Sequence, residues 1–146
     1  YFPDKSAIVR ALAERCNEDC RACIAQGLSA VESMEDFSSA FASLIDIYYA
    51  LFLAEPVIRD IWSAVQADGA LRAMEIEESR GNGELLARTL ETLRPDIDPA
   101  RLRTTALLVM HLGDATMRLA VSLDRKEGDA LVEAYKRMAV RELTAG

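Results

Sequence analysis

Apolar residues recur three and four positions apart along nearly the whole chain, and nothing alternates at period two over a useful length, so the pattern predicts helices throughout. The first helix is expected from about Ser6 to Leu28, with Ile8, Leu12, Cys16, Cys20, Cys23 and Gly27 along one face. Pro3-Asp4 bars an earlier start, and Asp4 or Ser6 can cap the free amides. The polar "SMEDFSS" separates it from a second helix, about Asp36 to Ala54, ended by Pro56, and "VIRDIWSAVQ" gives a short third. Asp68-Gly69 opens a long segment in which Gly81 and Gly83 each cost about 1 kcal/mol relative to alanine, predicting a kink or local break. "RPDIDPAR" is the clearest boundary, with Pro95 stopping one helix, Asp98 capping the next and Pro99 at its first position. That helix is expected to run to Leu123, and "DRKEGD" leads into a last one from about Asp129 to Leu143. The fold class is an all-α bundle of about six helices.

Between Thr104 and Met117 the only formally charged residue is Asp114. Leu107, Met110, Met117 and Val121 form one stripe there, and Leu108, Leu112, Ala115 and Leu119 a second. A helix apolar most of the way round must be covered on several sides, either at the centre of its own domain or against a second copy. The last helix adds Leu131, Tyr135 and Met138 on one side, with Val132, Ala139 and Leu143 beside them. Two such neighbouring helices can pair across a two-fold axis as a four-helix interface. The candidate interface residues are Leu107, Met110, Gly113, Met117, Val121, Leu131, Tyr135 and Met138, with Gly113 permitting close backbone approach.

Phe37, Phe41, Tyr48, Tyr49, Phe52 and Trp62 concentrate most of the aromatic residues in one stretch. Core packing accounts for such a stripe, and so does a ligand cavity walled by rings and adaptable methionines. In the second case Phe37, Phe41, Ile45, Tyr48, Tyr49, Phe52, Trp62, Met74 and Met110 line it. Asp46 and Asp114, each among apolar neighbours, either face solvent or an arginine, or meet a polar or cationic group of the ligand.

With 146 residues, 51% hydrophobic and 28% charged, the chain has the size and composition of one folded domain. Its net charge of −7 and pI near 4.8 argue against a phosphate-binding face. The longest apolar run, "AFASLIDIYYALFLAEP", is interrupted by Ser43, Asp46 and Glu55 and is read as too short to span a bilayer, so no membrane partner is expected. Three closely spaced cysteines do not make a disulfide framework and favour an intracellular protein. Cys16, Cys20 and Cys23 share one helix face, where they serve as small apolar residues or, with lower weight, bind a soft metal or sense oxidants. His111, the single histidine, is read as a satisfied core or interface residue. There is no glycine-rich phosphate loop, nucleophile elbow or paired-histidine motif, so neither an enzyme nor a cofactor is expected.

The opening "YFPDKSAIVRAL" resembles the end of the helix-turn-helix head of TetR-family transcriptional regulators. There the recognition helix closes on an aromatic pair and a Phe-Pro-x-Lys turn, matched here by Tyr1, Phe2, Pro3, Asp4 and Lys5, before the helix that links head to body. "FLAEPVIRDIWSAVQAD" and "LRAMEIEESRGNGELLARTL" resemble the family's middle helices, "LRPDIDPARL" the loop before its two dimer-forming helices, and "HLGDATMRLA" carries the Gly-Asp often found in the first of these. The resemblance implies a remnant of the DNA-binding head at residues 1–5 and an effector-binding and dimerisation domain at 6–146, with 6–28 as linking helix. It further implies a cytoplasmic homodimer, most of its head missing here, which binds operator DNA as a repressor and is released by a small, mainly apolar effector. Tyr1 and Lys5 match positions on the DNA backbone, which fix register without reading sequence. Two other readings stay open: a helical dimerisation or interaction module without an effector, and a thiol- or metal-responsive regulator using the cysteines.

Overall fold

Capping side chains start five of the six helices in the computed structural model, which describes residues 4–145. Helix α1 (Lys5–Leu28) follows Asp4, whose Oδ1 accepts from the Ala7 amide at 2.7 Å. Ser33 Oγ accepts from the Asp36 amide at 3.0 Å and opens α2 (Met34–Ala54). Helix α3 (Pro56–Ala67) begins on a proline, whose missing amide needs no cap. Asp68 accepts from Ala70 and Leu71 at the head of α4 (Gly69–Leu93), and Asp98 from Arg101 at the head of α5 (Pro99–Ser122). The last helix, α6 (Arg125–Thr144), starts on Asp124, which accepts from Glu127 at 3.1 Å.

Phe37, Phe41 and Phe52 of α2, Leu86 and Leu90 of α4, Met117 of α5 and Val132 and Leu143 of α6 are the largest fully buried side chains. They place the main core among α2, α4, α5 and α6. A smaller cluster of Ala13, Ile61, Val65 and Leu71 ties α1 and α3 to the start of α4.

Helix α4 runs unbroken through Gly81 and Gly83, where a kink was expected. A Cβ on Gly83 would lie 3.1 Å from the Ala106 carbonyl carbon and the Leu107 amide, so the glycine lets α4 cross α5 backbone to backbone. Packing gained at that crossing offsets the loss of helix propensity. Helix α6 starts four residues ahead of the expected Asp129 and contains Gly128 in its first turn. A Cβ there would meet the Ala120 carbonyl oxygen at 2.5 Å and Tyr49 Oη at 2.9 Å. Smallness, not helix breaking, is what the site demands.

Two further expectations change. Helix α2 has 21 residues and mean hydropathy 1.5 over its best window, so by length and composition it is long enough to cross a bilayer, contrary to the sequence reading. Here it is a core helix, with Phe37, Phe41, Ile45 and Phe52 buried and Asp46 accepting from Lys136 at 2.7 Å on its outer side. Of the candidate interface residues, Gly113, Met117 and Tyr135 are buried within the chain. Leu107, Met110, Val121 and Leu131 are half-buried, and Met138 is 62% exposed. The outward stripe of α5 is the other one, with Leu108, Leu112 and Leu119 at 55%, 45% and 50% exposure. The α4 crossing occupies the Ala106 side of α5, and Tyr135 packs against Gly113, which turns the alternative stripe to solvent.

Candidate functional site

A cavity of about 270 Å³ lies between α1 and α4, walled by α2, α3 and α5 and reaching Tyr135 of α6. Sequence periodicity directs apolar residues inward from each helix, but around this space they do not meet. Phe41, Ile45 and Tyr48 line it from α2, Ile61 and Trp62 from α3, and Cys16, Cys20, Cys23 and Ile24 from α1. Ring packing fixes the aromatic wall: Tyr48 meets Phe52 edge-on at 5.0 Å between centroids, and Phe52 stacks on Trp62 at 6.3 Å. Ile47 and Leu51 also line the cavity yet are 55% and 42% exposed, which marks its mouth along α2.

Phe41, Ile45, Tyr48, Trp62, Met74, Met110 and Asp114, seven of the proposed lining residues, border this space together. Phe37 and Phe52 do not, because both are wholly buried in the core behind it. Tyr49 faces the opposite way, since consecutive residues on a helix point about 100° apart. Its hydroxyl donates to Asp129 at 2.9 Å, and the Arg125 guanidinium sits 5.4 Å from its ring centre.

The α4–α5 side of the cavity is polar. Tyr48 Oη donates to Asp114 Oδ1 at 2.7 Å. Burial pushes the Asp114 carboxyl up to about 7, with the Tyr48 hydrogen bond and Arg118 opposing and the charges of Glu75 and Glu78 adding to the rise. Burial, and then Asp114 itself, also holds the Tyr48 hydroxyl well above its ordinary value. Glu75 is 5% exposed and accepts from Gln66 Nε2 at 3.0 Å and Arg118 Nη1 at 3.5 Å, while the Arg118 guanidinium also sits 5.7 Å from the centre of the Trp62 ring. Glu78 Oε2 pairs with Arg21 Nη2 at 2.9 Å. Burial raises the Glu78 carboxyl while Arg21 and Asn82 pull it down. Its second oxygen, Oε1, and Asn82 Oδ1 are both buried with no hydrogen-bond partner among the described residues. Ser79 Oγ lies 3.1 Å from His111 Nδ1, which pairs one ring nitrogen of the single histidine.

Glu75, Glu78, Ser79 and Asn82 escaped the sequence reading, although a signal existed. Between Leu71 and Leu86, both buried, they occupy the helical spacing where a core stripe would continue. Polar side chains filling an inward stripe point to a wall that faces something polar.

All three cysteines are free and border the cavity. Burial and nearby negative charge push the Cys20 thiol up to about 12, and burial raises Cys16 as well. The thiolate is the form that binds soft metals and meets oxidants, so this environment works against that chemistry. Among the described residues no three His, Cys, Asp or Glu side chains are grouped to hold a metal ion. Lys5 stands exposed at the first position of α1, and Tyr1 lies outside the described residues.

A family model described as "Tetracyclin repressor-like, C-terminal domain" matches residues 35–146. No curated protein and no solved structure matches the chain.

Proposed function

The chain belongs to the tetracycline repressor-like family through its C-terminal domain, and on that premise we propose that the cavity is the effector site of a repressor which releases operator DNA when filled. One observation carries this reading: an open cavity of about 270 Å³ walled mainly by apolar side chains, with carboxyl, amide and hydroxyl groups gathered on its α4–α5 side. Sites for small ligands have this make-up, a greasy enclosure with a few polar groups for orientation.

Helix α1 connects the site to the DNA side. Cys16, Cys20 and Ile24 give the cavity one wall, and Lys5 opens the same helix at its far end. A ligand that separates α1 from α4 moves that end, where the resemblance puts the junction with the DNA-binding head. In a dimer two heads must stand roughly 34–36 Å apart to enter successive major grooves. The effector acts only as far as it binds the released form better than the DNA-competent one. Leu108, Leu112 and Leu119, with Met138 of α6, supply the apolar face by which two copies pair. The protein works in the cytoplasm, where operator and effector meet.

Titration with N-phenyl-1-naphthylamine, a neutral dye that brightens in apolar surroundings, tests the site. One saturable site per chain is expected, lost in Cys20→Trp, which fills the cavity, with helix content retained. Equal dye binding by the filled variant and the wild type would remove the cavity from the account.

A further inference from the structure

The polar wall has more carboxyl groups than guanidinium partners. On its α4–α5 side three carboxyl groups, Glu75, Glu78 and Asp114, border the cavity, with Arg21 and Arg118 as the guanidinium partners described above, and the exposed Asp19 of α1 adds a fourth at its edge. Each guanidinium is already committed, Arg21 to Glu78 and Arg118 to Glu75 and the Trp62 face.

What remains unanswered on this wall is acceptor capacity. Asn82 is 5% exposed and lines the cavity, and its Oδ1 has no partner among the described residues. Glu78 Oε1, one helical turn away, makes no bond of normal geometry either, although the Asn82 amide lies near enough to lower the Glu78 carboxyl. A buried acceptor without a donor loses its hydration and gains nothing in exchange. Two of them side by side, with a carboxyl group opposite on α5, call for a donor that carries positive charge. Most of the remaining lining is rings, thiols and aliphatic chains.

We propose that the cavity takes an apolar amine, whose ammonium group donates to Glu78 Oε1 and Asn82 Oδ1 and is balanced by Asp114, while its hydrocarbon body lies against Trp62, Ile61 and Met74. This deepens the effector-site reading and rests on it. Neutral alcohols fill the same space but bring no charge, and carboxylic acids bring the wrong one.

The pH dependence of binding follows from the groups that face Asp114: Tyr48 from α2, Glu75 and Glu78 from α4, Cys20 from α1, Tyr135 from α6, and Arg118 on its own helix. With the cavity empty the Asp114 carboxyl keeps its proton up to about pH 7. An ammonium ion favours the ionised form, so below that pH binding drives a proton off. Amine affinity therefore tightens by up to about tenfold per pH unit between pH 5 and pH 7 and then levels off.

Calorimetric titration of this chain with 1-naphthylmethylamine, 1-naphthalenemethanol and 1-naphthoate at pH 7.5 tests the proposal. The amine is expected to bind at least about tenfold more tightly than the alcohol, and the naphthoate most weakly. Asp114→Asn and Glu78→Gln should each shrink the amine-to-alcohol ratio to within about threefold. Either variant suffices should the other fail to fold. Alcohol or naphthoate binding as tightly as the amine would overturn the proposal and leave the effector site standing. Absence of binding by all three would overturn both.

Discussion

Replacing Asp114 with asparagine keeps the shape of the side chain and an oxygen for the Tyr48 hydroxyl, but removes the ability to ionise. In the folded protein this carboxyl holds its proton to about pH 7, against an ordinary value of 3.8 in an unfolded chain. Between those values the unfolded state binds fewer protons than the folded one, so wild-type stability falls as pH rises. At about 1.36 kcal/mol per unit the whole interval is worth about 4 kcal/mol, and water entering the cavity reduces this to about 2–4 kcal/mol. Asparagine has no such dependence. The variant should match the wild type near pH 4 and exceed its stability by about 2–4 kcal/mol at pH 8, with the gap opening between. Urea unfolding of both chains at pH 4, 6, 7 and 8, followed by far-ultraviolet circular dichroism, measures that gap. The raised Glu78 carboxyl is common to both chains, so to first order its own titration cancels in the difference. A constant difference from pH 4 to pH 8 would mean that Asp114 titrates as an ordinary surface carboxyl, and the buried polar wall would be refuted. A stabilised variant that no longer distinguishes amines is the trade expected where a binding group is kept at a cost in stability.

Gly128→Ala should lower stability by about 1–2 kcal/mol in the same assay despite better helix propensity, because its Cβ presses on the Ala120 carbonyl; a stabilised variant would contradict the close α5–α6 approach. Leu112→Glu should convert a dimer to a folded monomer in sedimentation velocity, since it places a charge in the middle of the exposed α5 stripe; an unchanged sedimentation coefficient would move the interface elsewhere. Iodoacetamide at pH 8 should label Cys20 more than about a hundredfold more slowly than free cysteine, because its proton is held to about pH 12; rapid labelling, read by peptide mass, would restore the thiol-sensor reading.

Local chemistry was the readable part of this sequence. Asp4, Asp68 and Asp98-Pro99 announce helix starts because capping needs only neighbours along the chain. Gly81, Gly83 and Gly128 mislead for the opposite reason: their intrinsic cost is local, whereas the close approaches that require Gly83 and Gly128 come from other helices, and Gly81 gives room to the Arg21 guanidinium as it reaches Glu78. Both stripes of α5 obey helical spacing, and only the α4 crossing decides that Met117 turns inward and Leu112 outward. Tyr48 and Tyr49 are equivalent as letters. A rotation of about 100° gives one to the cavity and the other to Asp129. The polar wall was written into α4 as Glu75, Ser79 and Asn82 along an inward stripe, a pattern that aromatic content elsewhere overshadowed.

A crystal structure of the chain with 1-naphthylmethylamine is the most direct measurement. The account predicts the ring between Trp62 and Met74, the nitrogen within hydrogen-bond reach of Glu78 Oε1 and Asn82 Oδ1, and the start of α1 displaced relative to the empty protein. An amine found only on the outer surface, with the cavity empty and α1 unmoved, would contradict it.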